Sequence, residues 1–474
     1  MLAAGKGTRM QSRRHKVLHA LAGKPMIWHV LVALRNAGIP PARTTVVVGD
    51  GAAEVQAAIE AHFGAGTYGF ALQERQLGTG HATLQARPMV PAGSDAVIVA
   101  YGDTPLLRAE TVAQLLAHHR ASAAPLTLVT GHLEDPHGYG RIVRGAARGD
   151  GAGGSLPDVQ EVVEERDTTP EQRQIREVNS GFCAVDTAWL WSRLPGVQPA
   201  PNGEVYLTSL ASVAVAEGAG VATLVLDEVV ETTGVNSRAQ LAEAEAILRG
   251  RINRRLLDAG VTLQDQTSTY VDAGIDVGPD TVILANTHLQ GQTAIGAECE
   301  IGPNAIVRDS TVGARCRVIA SVLDGATIEA DVTVGPFAHL RPGTRCGRAA
   351  AVGTGSEINR SYLGPGSKMM HFGYLGDAMV GENVNVGAGA ITCNFDGERK
   401  HATTIGDSAF IGSGTLLVAP VAVGAGALTG AGAVVLLDVA RDAKVAGVPA
   451  RPIGHRSAPG QTTEERPATT GPEH

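Results

Sequence analysis

Aromatic residues are scarce in this sequence, and charge of neither sign is in large excess. Phenylalanine, tryptophan and tyrosine together make up 4% of the 474 residues, charged residues make up 18%, and the formal net charge is −8. The isoelectric point is near 6.0. Because no basic excess is present, the composition gives no reason to expect nucleic acid as a partner.

Cysteine is also scarce and irregularly spaced. The five cysteines are Cys183, Cys299, Cys316, Cys346 and Cys393, and they form no CxxC pair. This spacing argues against a disulfide framework or a zinc site and suits reduced thiols. No basic segment followed by an apolar one, typical of a signal peptide, opens the chain. We therefore expect a cytoplasmic protein.

One long uncharged segment, residues 408–437, is the only candidate for a membrane span. It contains Pro420 and repeated glycines, and its apolar residues recur in short units. A membrane helix needs about 20 predominantly apolar residues without such interruptions. The sequence therefore predicts no membrane span.

Glycine, in contrast, is abundant, with 60 residues that lack the strict every-third spacing of collagen. In the second half, an aliphatic residue followed by glycine recurs at intervals of six. Clear pairs are Ile295-Gly296 with Ile301-Gly302, Val380-Gly381 with Val386-Gly387, and Ile405-Gly406 with Ile411-Gly412. Short strands joined by tight turns give this period, and three such strands form one triangular coil. The pattern predicts a left-handed parallel β-helix built from hexapeptide repeats.

The first half has a different pattern, in which short aliphatic runs alternate with amphipathic segments. Residues 44–49, 95–103 and 126–132 are predicted strands, and residues 51–61 and 111–119 are predicted helices. Such alternation is typical of a mostly parallel, Rossmann-like α/β sheet flanked by helices. A further helix is predicted over 238–259, with Ser237 as its N-cap and Gly260 at its end. We interpret it as a connector between two domains.

The start of the chain, LAAGKGTRM, contains a candidate phosphate-binding loop. Gly5 and Gly7 would let backbone N–H groups approach a phosphate, and Lys6, Arg9 and Lys16 supply positive charge. An ordinary turn would explain a lone Gly-x-Gly equally well, and the spacing of a P-loop is absent. Asp103 follows an apolar strand, where its carboxylate would face the crevice at the edge of the sheet. A turn-forming aspartate before Thr-Pro is the alternative.

A series of motifs resembles those of sugar nucleotidyltransferases of the UDP-N-acetylglucosamine pyrophosphorylase type. They are LAAGKGTRM, HKVLHALAGKPM, LQERQLGTGHA, YGDTPLL, DPHGYGRIV, VVEERD, EVNSG and GVNSR, in that order along the chain. The resemblance continues through the β-helix and covers nearly the whole chain except the tail. Together the two halves resemble the bifunctional bacterial uridylyltransferase/acetyltransferase family that makes UDP-N-acetylglucosamine.

For the first half, this resemblance implies uridylyl transfer from UTP to N-acetylglucosamine-1-phosphate, with Mg²⁺ held by Asp103 and Asn236. It implies that Arg9 and Lys16 stabilise the charge that develops, and that Gln73, Gly78 and Thr79 read the uracil. Gly140, Glu164 and Asn179 would hold the amino sugar. The implied nucleotide-binding set also includes Leu2, Ala3, Ala4, Gly5, Lys16, Tyr101, Gly102, Asp103 and Asn236.

For the second half, the resemblance implies acetyl transfer from acetyl-CoA to glucosamine-1-phosphate. Removing a proton from the amine requires a base, and His371 in GSKMMHFGYLGD is the candidate, oriented by Glu357. A lone histidine is more often structural, and only the resemblance reverses that interpretation. The implied sugar-phosphate residues are Arg341, Tyr374, Asn385 and Asn394, and the implied acetyl-CoA residues are Ala388, Asn394, Phe395, Ser413 and Ala431. A homotrimer, with the acetyl site where chains meet, is implied as well.

The sequence departs from the family pattern at three places. Asn359 replaces a lysine, Phe395 replaces a tyrosine, and Gly447 replaces an arginine, with Arg360 and Arg451 as candidate substitutes. The family also has an apolar first strand before LAAGKG, so we expect the true start codon to lie upstream of Met1.

Three functions remain open from the residues alone. The chain is the bifunctional enzyme, which feeds peptidoglycan and lipopolysaccharide-type precursors, or a monofunctional nucleotidyltransferase with an oligomerising β-helix, or a non-catalytic scaffold. The predicted domains are a nucleotidyltransferase at 1–236, a linker helix at 237–260, an acetyltransferase β-helix at 261–454 and a disordered tail at 455–474. The Arg-Gly-Asp triplet at 148–150 is interpreted as chance.

Overall fold

The computed structural model describes residues 1–5, 7–145 and 158–456 of the chain. Lys6, the triplet at 148–150 and all of the predicted tail except His455 and Arg456 lie outside the described residues. The chain divides into two compact units, Met1–Leu248 and Arg249–His474.

The first unit contains helices and strands in alternation. Its helices are α1 (Met26–Asn36), α2 (Ala52–Phe63), α3 (Thr79–Gln85), α4 (Ala109–Ala121), α5 (Thr187–Arg193) and α6 (Ser209–Ala216). Its strands are β1 (Ala20–Leu21), β2 (Lys24–Pro25), β3 (Thr45–Val48), β4 (Gly69–Leu72), β5 (Ala96–Val99), β6 (Leu126–His132), β7 (Gly140–Arg144), β8 (Val159–Val163), β9 (Glu177–Asp186) and β10 (Ala222–Leu226). The predicted strands and helices of this half are all found, with ends shifted by a few residues.

The sheet of the first unit is mixed. Its strand order is β10-β6-β9-β7-β8, with β5 beside β9. Strand β10 is parallel to β6 and β3 is parallel to β4, whereas β9 is antiparallel to β5, β6 and β7. The prediction of a mostly parallel sheet was wrong for β9 and its neighbours. No crossover helix lies in the described chain between β6 and β9, and antiparallel strands need none.

The first residues of the chain lie between these strands. Leu2 forms parallel bridges to Val47 in β3 and to Tyr101 just after β5. The Met1 nitrogen donates to the carbonyl oxygen of Thr45 at 2.8 Å. The phosphate-loop candidate therefore starts in the middle of the sheet, where neighbouring strands fix its position.

Apolar side chains from the strands and the helices form the core that holds this site in place. One buried cluster contains Ile27 and Leu31 of α1, Val46 and Val48 of β3, and Phe182 of β9. Burying side chains of this size stabilises the fold by roughly 1.5–3 kcal/mol each. The polar loops at the strand ends are thus attached to strands that a well-packed core holds in place.

A long helix, α7 (Arg238–Asp258), follows the last loop of the first unit and continues past Leu248. The Gln240 N–H donates to the Ser237 hydroxyl at 3.2 Å, as expected for the predicted N-cap. Leu241 and Ala244 pack near Leu21 and Met26. The predicted connector is therefore a helix, anchored at its start to the first unit.

The second unit is a parallel β-helix with three faces, as the hexapeptide pattern predicts. The first face consists of Thr262–Leu263, Val282–Ile283, Glu300–Ile301, Arg317–Val318, Thr333–Val334, Ala351–Val352, Lys368–Met369, Asn385–Val386, Phe410–Ile411, Leu428–Thr429, Ala443–Ala446 and Arg451–His455. The second consists of Tyr270–Val271, His288–Gln290, Ile306–Arg308, Val322–Asp324, His339–Leu340, Ser356–Asn359, Gly373–Gly376, Ile391–Cys393, Leu416–Val418 and Val434–Val435. The third consists of Asp276–Val277, Ala294–Ile295, Thr311–Val312, Thr327–Ile328, Arg345–Cys346, Tyr362–Leu363, Ala378–Val380, Thr403–Ile405 and Val421–Val423.

The aliphatic residues of the repeat stack inside the coil, and the glycines lie where the chain turns. Val334, Val352, Met369 and Val386 are neighbours on successive coils and are at most 3% exposed. A Cβ on Gly353 would lie 2.0 Å from the carbonyl oxygen of Met370. Only glycine, which has no Cβ, avoids this clash. The uncharged segment 408–437 supplies strands of this coil. No helix among the described residues is long and apolar enough to cross a membrane.

Candidate active sites

A cavity of about 660 Å³ in the first unit brings together nearly all the residues predicted for the nucleotide site. Its lining includes Leu2, Ala3, Ala4, Gly5, Arg9, Lys16, Gln73, Gly78, Thr79, Tyr101, Asp103, Gly140, Glu164, Asn179 and Asn236. Gly102 lies behind this lining, where its N–H donates to the carbonyl oxygen of Leu2 at 2.9 Å. Residues from widely separated motifs thus share one crevice at the strand ends.

Sequence reasoning missed a further part of the lining. These residues are Val17, Gln76, Ala82, Thr104, His137, Gly138, Tyr139, Arg166, Ser180, Gly181, Glu204, Tyr206, Thr208, Thr232, Gly234 and Gln240. Several of them belong to motifs that were already quoted, such as Arg166 in VVEERD and Gly181 in EVNSG. For these residues, membership of the same motif as a predicted site residue was the signal that could have identified them.

Lys16 lies between the two predicted metal ligands. Its Nζ donates to Asp103 Oδ2 and to Asn236 Oδ1, the latter at 2.9 Å. The loops that carry these ligands are joined, because the Val235 N–H donates to the Asp103 carbonyl oxygen at 2.8 Å. Two side-chain oxygens therefore converge on a single position that a cation already occupies, in the form of the lysine ammonium group.

This arrangement fits a Mg²⁺ site with few protein ligands. Carboxylate and amide oxygens are the donors that Mg²⁺ prefers, and the ion usually takes further ligands from phosphates and water. Among the described residues, no group of three or more His, Cys, Asp or Glu side chains is placed to hold a metal. Asp103 and Asn236 would thus leave most of the coordination sphere to the substrate.

The candidate phosphate loop packs closely against Lys16. Gly7 has a φ of 61°, and a Cβ there would lie 2.5 Å from the Lys16 Cβ. Among the described residues, apart from its neighbours in the chain, none lies within 4 Å of the position of a Cβ on Gly5. Gly7 is therefore required for the close approach of the loop to Lys16, whereas Gly5 leaves open space beside the cavity.

The predicted uracil-reading residues lie together beside β4 and α3. Gln73 is 3% exposed, and its amide nitrogen lies 3.1 Å from the Gly78 carbonyl oxygen and 3.0 Å from His81 Nδ1. Gly78 has a φ of 96°, and a Cβ there would lie 2.5 Å from the Val205 carbonyl oxygen. The Thr79 hydroxyl accepts the Leu207 N–H at 3.0 Å.

The predicted sugar end of the cavity is bounded by a loop that the sequence did not single out. Glu164 Oε1 accepts a hydrogen bond from the Thr208 hydroxyl at 2.8 Å. Two residues further on, Arg166 pairs with Glu204 at 2.8 Å and lies over the Tyr206 ring, 5.2 Å from its centroid. These contacts tie the VVEERD segment to the loop before α6.

Tyr101 lies half-buried in the cavity lining between the two ends. Burial, followed by the neighbouring Cys183, Glu164 and Asp103, raises the pKa of its hydroxyl well above the usual range. A Cβ on Gly181 would lie 2.8 Å from the Tyr101 ring. The tyrosine is thus a neutral hydrogen-bonding group packed tightly against EVNSG.

In the β-helix, four predicted residues occupy equivalent positions on successive coils. The strands Lys368–Met369, Asn385–Val386, Phe410–Ile411 and Leu428–Thr429 pair in register. His371, Ala388, Ser413 and Ala431 each follow the second residue of one of these strands by two positions. They therefore follow one corner of the coil, and we call this line the His371 corner.

Hydrogen bonds tie the His371 corner together. The Gly414 N–H donates to the Ala388 carbonyl oxygen at 2.7 Å, and the Gly432 N–H donates to that of Ser413 at 2.8 Å. Apart from His371 and the exposed Phe372 ring beside it, the side chains here are small. The His371 corner is therefore a largely exposed line of small side chains with an imidazole at one end.

The predicted orienting contact to His371 is not present within the chain. Glu357 Oε1 accepts from Arg341 Nη1 at 2.8 Å, and Glu357 lies opposite Tyr374 on the neighbouring strand of the second face. Among the described residues, no hydrogen bond joins the His371 ring to Glu357. The Ser356 hydroxyl instead donates to the His371 carbonyl oxygen at 2.8 Å and so fixes the backbone.

The other predicted acetyl-site residues are divided between faces. Asn385 is exposed on the first face, whereas Asn394 follows the second face and donates to Asp377 Oδ2. Arg360, a candidate substitute for a lysine, is held by both Asp377 oxygens at 2.7 and 2.9 Å, which lowers the pKa of that carboxyl.

The positions that depart from the family pattern have different surroundings. Asn359 is 4% exposed inside the coil, whereas Phe395 is 58% exposed in a loop that leaves it. Gly447 has a φ of 93°. Arg451, the second candidate substitute, lies in the last strand and is exposed. Arg360 is thus committed to Asp377, and Asn359 is turned away from solvent.

Comparison with known proteins defines first the class and then the family. The profile of the MobA-like NTP transferase domain matches residues 1–152, so the first unit is a nucleotidyltransferase domain. Over most of its length the chain is similar to proteins named bifunctional protein GlmU. It is 47% identical over 440 residues to that of Heliobacterium modesticaldum, covering 93% of each chain, and 46% identical over 442 residues to that of Pelobacter propionicus, again covering 93% of each.

A third relative, from Geobacillus sp., is 42% identical over 444 residues, covering 94% of this chain and 93% of its own. This chain belongs to the GlmU family of bifunctional proteins. The resemblance inferred from its motifs is confirmed, as is the combination of a nucleotidyltransferase domain with a hexapeptide-repeat β-helix.

Proposed function

We propose that this chain makes UDP-N-acetylglucosamine in two steps, each performed by one of its units. The second unit acetylates glucosamine-1-phosphate with acetyl-CoA. The first unit then transfers a uridylyl group from UTP to the acetylated product. The observation that carries the proposal is the presence on one chain of the Lys16–Asp103–Asn236 cavity and of the His371 corner. Membership of a family of bifunctional proteins over 93% of the chain supports it. The product supplies precursors of peptidoglycan and lipopolysaccharide-type polymers.

We place the nucleotidyltransferase domain at 1–236, the linker helix at 237–260 and the acetyltransferase domain at 261–454. Helix α7 over Arg238–Asp258 supports the linker, although the division between compact units falls within it, at Leu248. We also propose a cytoplasmic location, which the five free cysteines support.

In the uridylyl step, a phosphate oxygen of N-acetylglucosamine-1-phosphate attacks the α-phosphorus of UTP. The new O–P bond forms as the bond to the bridging oxygen breaks, and pyrophosphate leaves. Arg9 and Lys16 line the cavity and would stabilise the negative charge that develops. Glu164 and Asn179 would orient the sugar, since alignment of the reacting groups supplies much of such a rate enhancement.

Asp103 and Asn236 would hold the Mg²⁺ of this reaction. When bound, the ion neutralises charge on the triphosphate and helps to orient it. Lys16 and a divalent ion require the same two oxygens, so the lysine is suited to exchange this contact for a phosphate contact once substrate and metal are present.

In the acetyl step, the amine nitrogen attacks the thioester carbon of acetyl-CoA. A C–N bond forms, the C–S bond breaks, and coenzyme A leaves as the thiol after it gains a proton. The His371 imidazole would accept the proton that the amine loses. Arg341 and Tyr374 would hold the sugar phosphate, and the small residues of the His371 corner would lie along acetyl-CoA.

We also propose a homotrimer in which neighbouring copies complete this second site. Within one chain the His371 corner is an open surface, and Phe372 and Phe395 beside the predicted site are 65% and 58% exposed. A second copy packed there would cover these rings and bring the separated Asn385 and Tyr374 surfaces into one pocket.

His371→Ala separates the two activities. We expect it to abolish acetyl-CoA-dependent thiol release with glucosamine-1-phosphate and to leave UTP-dependent pyrophosphate release at the wild-type rate. His288→Ala, which changes a histidine far from this corner on the same β-helix, serves as the matched control. If wild-type protein releases pyrophosphate but no thiol, the monofunctional alternative is correct and the β-helix serves assembly.

A further inference from the structure

His81 lies just outside the nucleotide cavity, in contact with a residue that lines it. Gln73 belongs to the cavity lining and is 3% exposed, whereas His81, in the first turns of α3, does not belong to the lining. The His81 Nδ1 atom lies 3.0 Å from the Gln73 amide nitrogen. Any effect of His81 on the substrate must therefore act through Gln73.

Both hydrogens of the Gln73 amide nitrogen are engaged by the protein. One is donated to the Gly78 carbonyl oxygen at 3.1 Å, and the other is directed at His81 Nδ1. A carbonyl oxygen can only accept, so the nitrogen and not the oxygen of the amide must face Gly78. Among the described residues, no donor binds the Gln73 amide oxygen, and this acceptor is left for a ligand.

The other ring nitrogen of His81 faces Gln85, one helical turn further along α3. The Gln85 amide nitrogen donates to the His81 carbonyl oxygen at 3.1 Å and lies 3.3 Å from the ring Nε2 atom. A neutral imidazole accepts at one nitrogen only, and the closer contact, to Gln73 at 3.0 Å, assigns the lone pair to Nδ1 and the proton to Nε2. The imidazole thus presents a lone pair to Gln73 and prevents the Gln73 amide from turning over.

We propose that His81 is a positioning residue for base selection: it fixes the Gln73 amide so that its oxygen can accept only from a base that carries a proton on N3. Uracil has this N3–H, whereas N3 of cytosine is an acceptor and would be left facing the glutamine oxygen. A buried polar site rejects a ligand that leaves its groups unpaired much more strongly than it rejects a small change in size.

This inference rests on the proposed uridylyl transfer, with uracil beside Gln73. The predicted consequence is selective: His81 affects the choice between UTP and CTP and leaves the choice between UTP and 5-methyl-UTP unchanged, because both of the latter carry N3–H. A residue with only a structural role would change the use of all three nucleotides together.

The test compares kcat/KM for UTP, CTP and 5-methyl-UTP in pyrophosphate release by the full-length protein. His81→Ala removes the acceptor and is expected to reduce the UTP:CTP ratio by about tenfold or more. His81→Asn, whose Oδ1 atom can replace Nδ1 as an acceptor, is expected to retain most of the wild-type ratio. His81→Leu fills the space without an acceptor and replaces the alanine variant should that variant not fold.

The outcomes separate the inference from the proposed function. Absence of UTP-dependent pyrophosphate release from wild-type protein overturns the proposed function itself. An active wild type that uses CTP as well as UTP, or His81→Ala and His81→Leu variants with the wild-type UTP:CTP ratio, overturns only the role of His81. Acetyl-CoA-dependent thiol release by the second unit is expected to be unchanged in all three variants.

Discussion

At the scale of single residues, the nucleotide site depends on groups that hold the predicted ligands in place. Gln240 shows this most directly, because its Oε1 atom accepts the backbone N–H of Asn236 at 2.8 Å. It lies in the first turn of α7 and lines the cavity. Asn236 is thus held from the helix on one side and, through Lys16, from Asp103 on the other.

We expect Gln240→Ala to weaken the binding of Mg²⁺ without removing a ligand. Loss of one such hydrogen bond costs about 1 kcal/mol, which corresponds to a roughly fivefold higher Mg²⁺ concentration for half-maximal pyrophosphate release. Titration of Mg²⁺ at saturating UTP measures this concentration. Gln240→Glu keeps an acceptor oxygen at the same place and is the control; an equal shift in both variants would contradict the positioning role.

Residue identities were predicted from the sequence better than their contacts. The family resemblance paired Asp103 with Asn236, and the side-chain oxygens of both residues accept from the Lys16 ammonium group. The pairing of Glu357 with Arg341, in place of His371, could not be predicted, since it depends on which residues lie opposite each other on neighbouring coils. Arg166 and Glu204 were missed for the same reason: they meet only after two distant loops are folded together.

At the scale of elements, helix α1 carries a histidine whose burial makes the fold sensitive to acid. His29 is 8% exposed, its Nε2 atom lies 2.9 Å from the Leu21 carbonyl oxygen, and burial lowers its pKa to about 4. In the unfolded chain the pKa is near 6.5. Between these values the unfolded chain binds a proton that the folded chain excludes.

The stability contributed by neutral His29 is therefore complete above pH 6.5 and decreases as the pH falls from 6.5 towards 4. The full effect is about 3 kcal/mol for a pKa change of this size. Urea unfolding of wild type and His29→Gln between pH 7.5 and 5 measures it. We expect the wild type to lose more stability than the variant over this range, and parallel curves would show that His29 is not responsible.

The elements themselves were predicted more successfully than their pairing. The six-residue period of aliphatic residues and glycine predicted the three-faced coil directly. Each strand is short, and the period determines which strands are neighbours. The mixed sheet was not foreseen around β9. Aliphatic runs identify buried strands, but they do not specify whether a neighbour runs parallel or antiparallel.

At the scale of the whole molecule, the two proposed sites differ in what they require. The nucleotide cavity is lined by one chain, whereas the His371 corner is open in a single chain and would be completed by another copy. We expect dilution to reduce acetyl-CoA-dependent thiol release per chain and to leave pyrophosphate release per chain constant. Sedimentation at the same concentrations should show dissociation where the thiol-releasing activity falls, and a concentration-independent acetyl activity would contradict a shared site.

The His371 corner also has a consequence for reach. Coils of parallel strands are spaced about 4.8 Å apart, so the three steps from His371 to Ala431 span roughly 14 Å along the coil axis. The proposed base and the small side chains of Ala388, Ser413 and Ala431 therefore lie at regular intervals along a line of fixed length. An extended acetyl donor would contact one coil after another along this line. Inserting a whole coil between His371 and Ala388 would lengthen the line by about 4.8 Å and leave the proposed chemistry at His371 unchanged.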